Sequence, residues 1–299
     1  MPIHLSRRDF LKGSIVAGVS LLTLNELRAD GSDPDFWALL ADTHVAQDKA
    51  TVNRGVNMAD NLRRVGEELR ALKTPPAGVL INGDCAFTAG LSGDYSTFSE
   101  LLKPLTESKL PIHTTLGNHD HRDNFRAASL ERNPNARLLQ SKHVSVIESP
   151  KANWFLLDSL DKTNVTPGVL GDEQREWLTK ALDAHPNKPA LVMLHHNLDF
   201  SGAEKTNGLT DTDALFKILV PRKQVKAVIY GHIHHWNVQQ KEDIHLIGLP
   251  PVAYIFVPND PSGWVSMKLE DGGATIELRS LDDKHPAHGK PMKLTWRTA

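Results

Sequence analysis

The sequence predicts an α/β fold built on mixed sheets, and two patterns carry that expectation. Short continuous apolar runs recur along the 299 residues, separated in the first half by stretches with helical apolar spacing. Toward the end the runs follow one another with only turns between them. Alternation implies parallel strands with helical crossovers, whereas the late succession implies hairpins, so the sheets should be mixed rather than wholly parallel. With 40% apolar residues, 23% charged residues and a formal net charge of −2, the composition is that of an ordinary globular chain. It has room for one sizeable domain or two small ones. The strong positive excess of a nucleic-acid binder is absent, as are repeats at solenoid periods.

The chain opens with Ser6-Arg7-Arg8-Asp9-Phe10-Leu11-Lys12, followed by an uncharged run from Gly13 to Asn25. That run is shorter than the roughly 20 apolar residues needed to span a bilayer. A basic segment before a short apolar one reads as an export signal, and SRRxFLK resembles a bacterial twin-arginine signal. Residues 1–29 are therefore expected to be a signal peptide read by the twin-arginine export machinery, with 30–299 as the exported domain in the periplasm. Cleavage after Ala29 would leave a mildly acidic chain with no stable membrane span; retention of the segment as an anchor is the other reading, because Leu27 stands where a small residue is preferred. Cys85 is the only cysteine, so no internal disulfide can form, and its expected role is that of a small buried apolar side chain.

The first apolar run is FWALLADTH, Phe36 to His44. A helix is expected over Val56 to Lys73, from the spacing of Val56, Leu62, Val65, Leu69 and Leu72, with Thr74-Pro75-Pro76 as its stop. GVLINGD, Gly78 to Asp84, is the second run; a helical stretch near Tyr95 to Ser108 precedes the third, PIHTTLGNHDH, Pro111 to His121. HVSVIES and ANWFLLDSL read as strands, and GDEQREWLTKALDAH as a helix opened by Asp172. The fourth run is PALVMLHHN, Pro189 to Asn197, and the fifth is VKAVIYGHIHH, Val225 to His235. HLIGLPPVAYIFV and WVSMKLEDGGATIELRSL suggest closing strands, the latter a hairpin turning near Asp271-Gly272-Gly273.

Each of the five runs ends in metal-capable side chains, and ligands in open α/β sheets collect beyond the carboxyl ends of strands. Alternate residues of an extended strand project to the same side, so Asp42 and His44, at i and i+2, can address one ion, and so can His232 and His234. Glycine precedes Asp84, Asn118 and His232, where it permits turns and close backbone approach. Any one of these elements is weak, since a lone Asp-x-His is more often a cap and a lone strand-end histidine is usually a structural hydrogen-bonding group.

Taken in order, Asp-x-His, Gly-Asp, Gly-Asn-His-Asp, His and Gly-His-x-His resemble the motifs of the calcineurin-like metallophosphoesterase superfamily. The likeness is greatest to its branch of small bacterial enzymes that includes class III cyclic-nucleotide phosphodiesterases. That resemblance implies a four-layer α-β-β-α sandwich of two mixed sheets and two metal ions sharing a carboxylate. By motif position, Asp42, His44, Asp84 and His234 would hold one ion, and Asp84, Asn118, His195 and His232 the other. The mixed oxygen and imidazole set suits iron, manganese, zinc or cobalt rather than calcium. A hydroxide bridging the ions would attack phosphorus in line, and His119 would stabilise the developing charge or protonate the leaving alkoxide. Asp120 has two readings, orienter of His119 or turn cap. Members of the family often carry proline one residue beyond the pair matching His195-His196, where this chain has Asn197; the family's ligand is the first histidine of that pair. His235 reads either as a pocket residue or as a surface hydrogen-bonding group.

The function implied is that of an exported dimetal phosphoesterase hydrolysing small phosphodiesters or phosphomonoesters. The alternative is a metal-dependent binding protein that keeps the ligand shell without efficient turnover, against which the intact His119 argues. An intracellular second-messenger role fits poorly with export. Substrate-gripping groups are sought in Arg122, Arg126, Arg132 and Arg137 and in the loop Asn197 to Asp211. Trp236, Trp264 and residues 246–266 offer an apolar surface if they are not core.

Overall fold

A computed structural model describes residues 29–128, 139, 141–201 and 207–298. The signal-like segment up to residue 28, Arg132, Arg137 and residues 202–206 of the Asn197–Asp211 loop lie outside the described residues. Two six-stranded sheets organise the chain. In the first, β1 (Asp33–Ala41) lies parallel to β4 (Pro76–Asn82), and β4 parallel to β5 (Ile112–Thr115). On the other edge of β1 run β12 (Gly263–Glu270), β13 (Gly273–Ser280) and β14 (Pro291–Thr295), all antiparallel. The second sheet has a parallel centre of β7 (Asn153–Leu156), β8 (Ala190–Met193), β9 (Val225–Tyr230) and β11 (Ile244–Gly248). It is flanked by antiparallel β6 (Ser145–Glu148) and β10 (Asn237–Lys241).

Strand alternation explains how the layers stack. Along β1, Trp37, Leu39 and Ala41 face a central core with Leu80, Trp154, Leu156, Met193, Ile229 and Val265, residues of both sheets. The intervening Ala38 and Leu40 face outward onto α1 (Met58–Ala71) and α2 (Ser92–Glu107) through Leu62, Val65, Leu69, Phe98 and Leu102. The second sheet does the same with α4 (Asp172–Ala184) and α5 (Thr212–Leu219), where Phe155, Val192 and Val228 meet Leu178, Leu182, Leu215 and Leu219. A short α3 (Arg122–Ala127) follows the third motif. The result is the four-layer α-β-β-α sandwich.

Several elements differ from the sequence expectation. Val56 and Asn57 are not helical: they form β3, paired antiparallel with β2 (Val52–Asn53), and Asn57 caps α1 by accepting from the Asp60 amide. Asp172 is the first residue of α4, whose cap is Gly171 at φ 80°. The stretch 245–257 is strand only as far as Gly248; Tyr254 and Phe256 sit in the loop that follows. Trp264 is core, its indole N–H donating to Glu68, and Trp236 is partly buried against the central cluster, so the exposed apolar groups of that region are Phe256 and Val257. Cys85 is fully buried.

Candidate metal centre

The polar clusters all follow the carboxyl ends of parallel strands, as expected, and they converge on one point where the two sheets meet. Asp42 follows β1, Asp84 follows β4 and Asn118 follows β5 of the first sheet; His195 follows β8 and His232 follows β9 of the second. Across that seam Asp84 Oδ2 lies 3.3 Å from His195 Nε2 and 3.7 Å from His44 Nε2. Asp42 Oδ1 lies 3.4 Å from His234 Nε2, and His44 Nε2 is 3.1 Å from His234 Nε2. Three overlapping groups have donor atoms within 4.8 Å of one another: Asp42, His44 and His234; His44, Asp84 and His119; Asp84, His195 and His232. Asp84 is common to groups on both sides of the seam, the position a shared carboxylate needs.

The backbone reason for this convergence differs from the strand argument. Asp42, His44, Asp84, His232 and His234 all have left-handed φ, between 44° and 71°. Such a conformation costs a non-glycine residue roughly 1–3 kcal/mol and persists only where the surroundings enforce it. The Asp-x-His and His-x-His pairs thus lie past their strands, in left-handed rather than pleated backbone, and His232 and His234 address different groups rather than one ion. Amide hydrogen bonds hold these segments: His232 N–H donates to the Asp42 carboxylate at 3.1 Å and His119 N–H to Asp84 Oδ1 at 2.8 Å. The glycines are explained by close packing. A Cβ on Gly117 would lie 2.2 Å from Asp84 Oδ1, and one on Gly231 2.6 Å from Asp42 Oδ2.

Four of these imidazoles are each aimed by a backbone carbonyl. Nδ1 of His44 bonds Phe87 O (3.2 Å), that of His195 bonds Asn82 O (3.0 Å), that of His234 bonds Tyr254 O (2.5 Å) and that of His119 bonds Thr88 O (2.7 Å). In the neutral imidazole a donor hydrogen on Nδ1 leaves Nε2 bare toward the centre, the arrangement of a metal-ligating histidine and its outer partner. Backbone carbonyls carry no side-chain signature, so these orienting groups leave no mark in the sequence.

Electrostatics tune the cluster further. Burial opposes ionisation of Asp42 and Asp84, yet His234 and His195 beside Asp42, and His195 and His44 beside Asp84, hold both carboxyls below the ordinary range. Burial pushes His44 and His232 down to about 4. It acts on His195 in the same sense, but Asp84 and Asp42 outweigh it and hold that imidazole up at about 9. The two carboxylates thus favour the protonated form of His195.

The residues fit the metals the resemblance implies. Asn118 Oδ1 and His195 Nε2 are buried without a hydrogen-bond partner, orphans that ligation would satisfy. Two carboxylates, an amide oxygen and four imidazoles form the mixed donor set of a transition-metal site. His196 Nδ1 is engaged by Ser159 Oγ at 2.8 Å, whereas His195 is the member of the pair whose Nε2 reaches Asp84. His235 is on the surface with Asp260, 2.8 Å away.

The expectation that Asp120 orients His119 is corrected. Asp120 is fully buried and accepts four hydrogen bonds, from the amides of Cys85, Ala86 and Gly117 and from Tyr95 Oη, none from His119. It ties the second and third motif loops together, closer to the turn-cap reading, with burial and the Asp84 charge raising its carboxyl to about 6. Arg122 is likewise structural, pairing with buried Asp158 and donating to Leu160 O. Arg126 lies 3.9 Å from Asp123. Three residues beside the cluster carried no motif signal: Tyr254 stacks on His44, Phe256 stacks on His234, and Arg54 lies over both aromatic rings.

The profile of the calcineurin-like phosphoesterase family matches residues 38–236, the span that carries every motif above. The chain belongs to the calcineurin-like phosphoesterase family. This phosphoesterase is similar to 3′,5′-cyclic adenosine monophosphate phosphodiesterase CpdA of Pseudomonas aeruginosa, 27% identical over 78% of this chain and 85% of the relative. The CpdA of Haemophilus influenzae is 28% identical over 81% of this chain and 84% of its own length. A probable glycerophosphodiester phosphodiesterase GpdQ from Arcobacter nitrofigilis is 27% identical over 66% of this chain and 73% of its own length. Among solved structures, a dimetal phosphatase from Danio rerio superimposes with a TM-score of 0.64 at 17% identity, covering 89% of this chain and all of that one. As a member of its family, the protein is a metal-dependent phosphoesterase whose family uses a dinuclear metal centre.

Proposed function

We propose that this phosphoesterase hydrolyses small phosphodiesters outside the cytoplasm. The observation that carries the chemistry is the convergence of Asp42, His44, Asp84, His195, His232 and His234, with Asp84 between the two halves. The preference for diesters over monoesters is supported by the relatives, whose names are those of phosphodiesterases. The place of action is supported by the SRRxFLK segment and by the single cysteine, which frees the fold from any need for disulfides.

Asp42, His44, Asp84 and His234 would hold one cation, and Asp84, Asn118, His195 and His232 the second, as iron, manganese, zinc or cobalt. When bound, two such ions supply Lewis acidity toward a phosphoryl oxygen and toward water. The protein's own groups do the rest. Their carbonyl-anchored imidazoles keep donor atoms aimed without reorganisation, and Gly117 and Gly231 let the carboxylates close in. His119 is partly exposed at the rim, held at Nδ1 by Thr88, with Nε2 free to meet the substrate. It is the group placed to protonate the departing alkoxide or to stabilise charge on the phosphoryl oxygens.

The test is hydrolysis of bis-p-nitrophenyl phosphate and of p-nitrophenyl phosphate by purified protein, with each metal added in turn or removed by chelation. A metal-dependent rate that is higher on the diester supports the reading. A clear preference for the monoester would overturn the diester assignment, and turnover of neither under any metal would overturn both.

A further inference from the structure

The tight turn between β2 and β3 is Arg54-Gly55, and both residues are left-handed, at φ 51° and 79°. Turns of this kind favour glycine, asparagine or aspartate at both positions, so Gly55 conforms and Arg54 does not. Glu242 and Asp243 make a similar left-handed turn between β10 and β11, so the backbone by itself assigns no role. What distinguishes Arg54 is where its side chain lies. Its guanidinium carbon is 5.0 Å from the ring centre of Phe256 and 5.8 Å from that of Tyr254. Phe256 stacks on His234 with centroids 4.1 Å apart and planes 14° apart, and Tyr254 stacks on His44 at 5.1 Å and 27°.

Stacked rings therefore run from two candidate ligands out to an exposed cation. No hydrogen bond or ion pair links Arg54 to any described residue, although its guanidinium carries five N–H donors. Phe256 is 47% exposed and Val257 beside it 56%, so large apolar surface stays open next to the centre. A guanidinium lying over aromatic rings keeps its in-plane donors available for a planar acceptor edge.

We propose that Arg54, Tyr254 and Phe256 form the subsite for the alcohol part of the ester and select alcohols bearing a planar aromatic group, such as a nucleobase, over flexible alkyl alcohols. This rests on the phosphodiesterase reading above. A base offers a π-face for stacking and ring acceptors for the guanidinium, whereas a glycerol moiety offers neither face nor edge.

Arg54→Asn tests it without endangering the fold, because asparagine suits the turn and only the guanidinium is lost. The substrates are adenosine 3′,5′-cyclic phosphate and glycerophosphoglycerol, and the quantity read is the ratio of their kcat/KM values. The ratio is expected to fall by about tenfold or more in Arg54→Asn, mainly through KM for the nucleotide, with Arg54→Lys failing to restore it. A binding readout accompanies it: by calorimetry, manganese-loaded wild type should bind adenosine monophosphate more tightly than glycerol 3-phosphate, and Arg54→Asn should lose that difference. An unchanged ratio together with an unchanged binding preference overturns the subsite. Full rescue by lysine overturns the planar recognition, because charge alone would then suffice. If wild type hydrolyses no diester, the phosphodiesterase reading fails, and the calorimetric preference still decides the subsite.

Discussion

Asp84 and His195 hang from different sheets, yet Asp84 Oδ2 lies 3.3 Å from His195 Nε2. The site therefore exists only when the two sheets are packed face to face. The seam is pinned locally as well: Asn82 Nδ2 donates to Leu194 O at 3.0 Å, and Thr115 Oγ1 donates to Asn82 Oδ1 at 2.6 Å. A shared carboxylate at such a junction couples ligand geometry to the relative placement of the sheets.

Replacement of His119 should separate chemistry from metal retention. His119→Ala is expected to lower kcat on bis-p-nitrophenyl phosphate by about 10²–10⁴-fold, the usual worth of a positioned proton donor. Metal content by elemental analysis should stay at the wild-type level. Loss of metal together with rate would make His119 a ligand instead.

A methyl group at Gly117 should be enough to disrupt the centre. The new Cβ would sit 2.2 Å from Asp84 Oδ1 and 2.5 Å from the Asp84 amide nitrogen, a backbone atom that cannot swing aside. Gly117→Ala is expected to lose most of its metal affinity while keeping a wild-type far-ultraviolet circular dichroism spectrum. Titration with manganese followed by calorimetry measures the first, and tight binding there would refute it.

Metal uptake should release protons in a defined pH window. His195 is held up at about 9 in the metal-free protein, whereas His44 and His232 are near 4 and already neutral. Ligation requires neutral imidazole, so at pH 7.5 binding should expel about one proton from His195. Release should decline toward zero as pH rises through 9, because the proton is then already gone. Calorimetry in buffers of different ionisation enthalpy counts the protons; no release at pH 7.5 would contradict the assignment.

Asp120 is expected to matter for stability more than for orienting His119. Asp120→Ala strips acceptors from three amides and from Tyr95 Oη, while relieving repulsion with Asp84. A net loss of roughly 2–3 kcal/mol is expected, since buried donors left unpaired are costly. Urea denaturation of the metal-free protein measures it, and a variant as stable as wild type would show that the loops are tied elsewhere.

Export should depend on the paired arginines. Arg7→Lys combined with Arg8→Lys is expected to keep the protein in the cytoplasm of a bacterial host with the twin-arginine machinery. Immunoblotting of osmotic-shock and cytoplasmic fractions reads the outcome, and undiminished periplasmic protein would remove the basis for an exported role.

Strand-end chemistry is legible in the sequence. Buried parallel strands need continuous apolar residues, and reactive groups collect where such strands stop, so runs ending in Asp42, Asp84, Asn118, His195 and His232 show in one dimension. The helices were legible to within a few residues for the same reason, since α1, α2 and α4 show an apolar stripe at helical spacing. Less was visible where the pattern is short or polar. β10 reads NVQQK, β2 and β3 are two residues each, and α5 spans eight.

The amino-acid order by itself thus determined the strand and helix alternation, the residue types available to cations and their grouping at strand ends, because these follow from local periodicity. Tertiary structure alone decided that Asp42 and His44 turn inward through left-handed backbone rather than along a pleat. It also decided that Asp120 serves the loops instead of His119, that carbonyls of Asn82, Phe87, Thr88 and Tyr254 aim the imidazoles, and that Arg54 reaches Phe256. These depend on contacts between segments distant in sequence, and backbone carbonyls and ring stacking carry no local pattern to announce such partners.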